Sequence, residues 1–235
     1  MISSPYDQLD KLIDEYEEDS RRIRSDTFMM RNYPKLFVMS AASLFEKQVK
    51  KRCADLIEFP LAPIDATYPT LHRIMTQMRS RRTIVDSIFG RFYTINPQTQ
   101  QEDLRADQFY LLFGASFKTS VESNFNAVLA NRIAIYENKI TTISAISDQE
   151  DYYEKLYVKY CEVKDGLDKC TFIIAERAFL TLKLKRNRVA HDFTAMLNDS
   201  FNEIKGFYLD ALVYVMAVEQ AVLDLTDTHA LNLVV

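Results

Sequence analysis

Residues 167–191 read LDKCTFIIAERAFLTLKLKRNRVAH. Leu167, Cys170, Ile174, Ala178 and Leu182 recur every three or four positions, the spacing that lines apolar side chains along one face of an α-helix. The last third of the stretch turns cationic: Lys183, Lys185, Arg186 and Arg188 fall within six residues. A second stripe follows over about 202–225, where Ile204, Tyr208, Ala211, Leu212, Val215, Val218, Val222 and Leu225 share a face. An apolar stripe on one helix is buried against another, so two in succession predict helix packed on helix.

The same period runs outward. Leu9, Leu12, Ile13, Tyr16 and Ile23 mark an acid-rich helix over 6–25, whose acids read as a solvated face. Pro34 reads as the first turn of a second helix that carries Val38, Ala41, Ala42, Phe45, Val49, Cys53 and Leu56 to about residue 59. Pro60, Pro63 and Pro69 mark a loop. A third helix, about 70–93, is rich in arginine (Arg73, Arg79, Arg81, Arg82, Arg91), and 94–103 reads as a polar loop. Phe109, Leu112 and Phe113 precede Gly114, a helix end. Val121, Phe125, Val128, Leu129, Ile133 and Ile140 mark a further helix, and Tyr152, Tyr153, Tyr157 and Tyr160 lie on a tyrosine-rich one.

Gly 4 and Pro 6 in 235 residues leave too few turn-formers for a sandwich, a barrel or a doubly wound sheet. The isolated glycines also exclude a P-loop and a dinucleotide fingerprint. The reading is all-α: a single helical-bundle domain over 1–235, of about six to eight helices, with 59–105 as a candidate insertion.

The net charge of −4 excludes a general polycation, so any binding of nucleic acid must use a local patch. Three cysteines without a CxxC pair fit a reducing cytoplasm. No signal peptide is read at the N-terminus, and no stretch of about 18 apolar residues is read as a membrane span. His72, His191 and His229 are far apart, with no HExxH and no His/Cys cluster, so neither metal nor cofactor is expected.

The chemistry concentrates in Arg186-Asn187-Arg188-Val189-Ala190-His191. Histidine titrates near neutrality and moves protons, while arginine is always charged and grips phosphate with two parallel hydrogen bonds. On an ideal helix Asn187 and His191 lie about 40° apart, whereas Arg186 and His191 lie about 140° apart. Arg186 must therefore reach around, or the helix must end or distort near Ala190. The same residues also suit an ordinary helix C-terminus, where cations complement the dipole. Glu46, in the second helix, reads either as a surface partner of a nearby lysine or as an acid supporting the motif.

Arg186, Asn187 and His191, placed late in an all-helical chain before a final helix, resemble the HEPN domain superfamily (higher eukaryotes and prokaryotes nucleotide-binding). The resemblance is carried by about Leu167 to Leu225. It implies a metal-independent endoribonuclease of the toxin or phage-defence type, with Arg186, Asn187 and His191 catalytic. Lys183, Lys185 and Arg188 would bind RNA, and Glu46 would support the motif. The resemblance further implies a homodimer with a composite site and an antitoxin or defence-system partner. In one subset of the family an antitoxin modifies a tyrosine two residues after the histidine; Phe193 stands there in this chain, which argues against that device. The alternative is a non-catalytic helical module that binds nucleotide, RNA or a protein partner.

Overall fold

The computed structural model describes residues 5–22, 27–57, 69–95, 98, 102–146, 151–192 and 199–232. In chain order its elements are α1 (Asp7–Arg22), α2 (Thr27–Ile57), α3 (Pro69–Gln77), α4 (Arg81–Phe89), β1 (Tyr93–Ile95), β2 (Glu102–Leu104), α5 (Asp107–Leu112), α6 (Phe117–Ser144), α7 (Asp151–Asp168), α8 (Phe172–His191) and α9 (Phe201–Asn232). The architecture is all-α, with nine helices among the described residues against the six to eight expected.

Helix α9 is the axis of the bundle. It packs on α8, α6 and α2, and α7 closes against α6. Ala211 through Val215, Ala217, Val218, Ala221 and Val222 are all buried. A helix covered on several sides is apolar nearly all round rather than along one stripe. That is why α9, contrary to the sequence reading, is long and apolar enough by length and composition to cross a membrane.

The extra helix comes from the arginine-rich segment, which is divided in two. Ser80 caps α4 by accepting a hydrogen bond from the Thr83 N–H at 3.2 Å, which separates α4 from α3. A single 3-10 turn, Gly90–Phe92, then leads into an antiparallel pair in which Tyr93 faces Leu104 and Thr94 faces Asp103. The segment read as a polar loop thus contributes to both strands of a hairpin, in keeping with the β-favouring run Tyr93-Thr94-Ile95.

Two boundaries also move. Helix α2 begins at Thr27, so Pro34 lies inside it. Interior proline costs about 3 kcal/mol or more. Aromatic packing of Tyr33 and Phe37 on Phe201, with centroids 6.2 and 5.6 Å apart, favours continuing the helix through it. The stripe over 167–182 is not one helix either. α7 ends at Asp168, and Thr171 caps α8 by accepting from the Ile174 N–H at 3.4 Å. The break resets the phase: Ile174 is exposed, and the buried face of α8 is Ala175, Ala178, Phe179, Leu182, Lys183 and Val189. Gly114, read as a helix end, follows α5 with φ of 92°, a left-handed conformation open to glycine at little cost.

Candidate functional site

Helix α8 carries the motif on three of its faces. It stays helical through His191, and the Asp192 N–H donates to the Arg188 carbonyl at 2.9 Å, so no distortion near Ala190 brings Arg186 round to His191. Lys183 and Arg186 turn toward α2. Asn187 turns toward β1. Arg188 and His191 are exposed.

Glu46 is where the α2 side of the site converges. The Arg186 guanidinium donates to its carboxylate, Lys50 lies 2.9 Å away one helical turn along α2, and Lys183 Nζ lies at 3.5 Å. Lys50 also donates to Asp86 of α4 at 2.9 Å, and the Arg82 guanidinium lies 3.9 Å from Asp86. A line of alternating charge thus joins α4, α2 and α8. Glu46 is therefore more than half of a surface Glu–Lys pair: it meets Lys50 and the motif together. Burial tends to raise its pKa, but Lys183, Lys50 and Arg186 outweigh that and hold the carboxyl below its usual range.

Lys183 is not among the surface cations where the sequence put it. Its side chain is 3% exposed. Its ammonium sits 3.7 Å from the centroid of the Phe89 ring and 4.6 Å from that of Tyr93. Burial, with Arg186 and Lys50 adding to it, lowers the amine to about 7 despite the attraction of Glu46. Among the described residues, neither Lys183 Nζ nor Arg186 Nε has a hydrogen-bond partner, and both atoms are buried.

Asn187 donates to the Tyr93 hydroxyl at 3.3 Å, and among the described residues it makes no hydrogen bond to the imidazole. Lys185 pairs with Asp199 at 2.5 Å and lies over the Phe207 ring. Of the seven residues singled out in the sequence, Glu46, Lys183 and Arg186 come together, Asn187 borders them, and Lys185, Arg188 and His191 lie apart. Phe193 lies outside the described residues.

Phe89, Tyr93, Lys50 and Asp86 complete the cluster and are not among the site residues that the sequence singles out. Lys50 was within reach of reasoning, because it stands four residues after Glu46. Phe89 and Tyr93 reach the site only through the fold of the α4–β1 segment.

Comparison with protein-family models, with curated proteins and with solved structures gives no match.

Proposed function

We propose that the chain is a metal-independent endoribonuclease whose site is built on the C-terminal half of α8. The observation that carries this reading is the meeting of Glu46 with Arg186: an acid on an early helix reaches the motif arginine across 140 residues of sequence. That pairing holds the guanidinium in place, while His191 ends the same helix exposed, open to incoming RNA in this reading. The scattered histidines and cysteines supply no clustered metal-ligand motif in the sequence, in keeping with acid–base chemistry.

In this reading His191 takes the proton from a ribose 2′-hydroxyl, whose oxygen forms a bond to the adjacent phosphorus. The bond from phosphorus to the 5′-oxygen breaks, and that oxygen takes up a proton from an imidazolium. The products are a 2′,3′-cyclic phosphate and a 5′-hydroxyl. Arg186 stabilises charge building on the phosphoryl oxygens. The two residues come from different copies of the chain, because one continuous helix holds its own Arg186 and His191 about 140° apart. A role in a toxin or defence system follows from the family resemblance.

The second reading is a non-catalytic helical module that binds RNA, nucleotide or a protein. It is favoured by the neutralisation of Arg186 by Glu46. Incubation of purified protein with RNA in EDTA separates the two. Cleavage with cyclic-phosphate ends, lost in His191→Ala, supports the ribonuclease. Intact RNA, or activity that returns only with magnesium, overturns it.

A further inference from the structure

Every element around Lys183 contributes to an uneven charge count. Helix α2 brings Glu46 and Lys50, α4 brings Asp86 and the ring of Phe89, β1 brings Tyr93, and α8 brings Arg186. With Arg82 of α4 beside Asp86, four cations meet two carboxylates. A surplus cation in a half-buried cluster is costly unless it is neutralised or matched by an anion. Two buried donor atoms are moreover poorly satisfied: Arg186 Nε makes no hydrogen bond among the described residues, and Lys183 Nζ has only the distant Glu46 carboxylate at 3.5 Å and two ring faces. Buried donors of that kind await an acceptor.

We propose that this cluster is a proton-linked oxyanion site: a phosphoryl oxygen replaces Glu46 on Arg186, and Lys183 becomes more fully protonated as the anion enters. The inference rests on Arg186 being the phosphate-binding residue of the reading above. Before binding, Lys183 need not carry its full charge, since burial lowers the amine to about 7. Once the anion offsets Arg186, the like-charge repulsion on Lys183 falls, and Glu46 is left to Lys183 and Lys50. Both changes favour the ammonium. The ligand class is a tetrahedral oxyanion, either an RNA phosphodiester or a free inorganic ion.

The test follows lysines labelled with 13C at Cε by NMR, in the full-length protein, from pH 5.5 to 9.5. One lysine should titrate near neutrality, and its resonance should be absent from Lys183→Met. Saturating sulfate, or an oligoribonucleotide made uncleavable by 2′-O-methyl groups, should raise that midpoint by about one pH unit. Calorimetry at pH 7.5 in buffers of different ionisation enthalpy should then show about half a proton or more taken up per chain in the wild type. No lysine titrating below pH 9, or a midpoint that neither anion moves, overturns the proposal; the wild-type titration decides this even if Lys183→Met fails to fold. A midpoint raised by sulfate alone keeps the oxyanion site and removes RNA as its ligand. An oligonucleotide that binds, seen by fluorescence anisotropy, while neither it nor sulfate moves the lysine defeats the proton linkage while the ribonuclease reading stands.

Discussion

Lys183 destabilises the folded chain at neutral pH, and the sign of that effect can be measured. Its folded pKa is depressed to about 7 from an ordinary 10.5, so between these values folding expels a proton. Stability from this group is fully present above about pH 10.5 and is lost as pH falls toward 7. Lys183→Met removes the cost and keeps most of the volume. Urea unfolding should find the variant more stable by about 1 kcal/mol or more at pH 7, with the gap closing near pH 10. A wild type more stable than the variant by the same margin at both pH values would refute the assignment. His191 is the opposite case. It is exposed at the helix end, so His191→Ala should unfold at the wild-type urea midpoint while RNA cleavage falls by about 10²- to 10⁴-fold, the usual contribution of a general acid–base group. A loss below tenfold in a single-turnover assay would remove His191 from the chemistry.

The short elements α3, α4 and the hairpin give the site one of its walls, because α4 brings Phe89 against Lys183 and β1 brings Tyr93 against both Lys183 and Asn187. Arg79, Arg81 and Arg82 are exposed where α3 meets α4. If RNA crosses this wall, replacing Arg81 and Arg82 by Ala in a His191→Ala background should weaken binding. It should also flatten the slope of log affinity against log salt by about 0.7 for each lost single-strand contact. An unchanged slope would place RNA elsewhere. The long helices were legible because apolar residues repeat at helical spacing over four turns or more, as Val38, Ala42, Phe45, Val49, Cys53 and Leu56 do in α2. What escaped was set by tertiary context. Pro34 reads as a helix start by local preference, yet Tyr33 and Phe37 pack on Phe201 and carry the helix through it. Thr171 shifts the phase of α8 by a cap that apolar spacing alone does not reveal. The motif residues were found from their chemistry, but that Lys183 faces inward beside Glu46 depends on that shifted phase and on α2 lying alongside.

At the scale of the molecule, the core is threaded by hydroxyl–carboxylate pairs: Tyr6 donates to Glu219 at 2.8 Å, Tyr208 to Asp10 at 2.9 Å, and Tyr110 to Glu176. Burial outweighs these bonds and raises the carboxyls of Asp10, Glu176 and Glu219, and also that of Asp210, above their ordinary values of 3.8 and 4.5. A raised carboxyl stabilises below its unfolded pKa, and that contribution is lost as pH rises through the folded pKa. Glu46, Asp86 and Glu203 are lowered and oppose this, but a lowered carboxyl changes stability chiefly below its ordinary value, outside this range. Unfolding free energy should therefore fall as pH rises from about 4.5 toward 7, and a rise over that range would contradict the burial assigned to these groups.

Composite assembly is the claim that reaches furthest beyond one chain. Helix α8 runs unbroken to His191, so Arg186 looks inward to Glu46 while His191 looks outward, and the proposed reading needs a second copy to bring both to one phosphate. A two-fold axis that sets the ends of two α8 helices side by side lets the arginine of one copy meet the histidine of the other, twice over. Light scattering should then give about twice 27.4 kDa at micromolar concentration. Complementation is the sharper measurement. Arg186→Ala and His191→Ala should each be inactive alone. After mixing and exchange of subunits, half the dimers are mixed, and each mixed dimer holds one complete Arg–His pair out of two. About a quarter of wild-type activity should return by this counting. Recovery near that level assigns arginine and histidine to opposite copies. Activity in a clean monomer, or no recovery once mass spectrometry shows the mixed dimer, places the complete site within one chain and requires α8 to unwind at Ala190 when RNA binds.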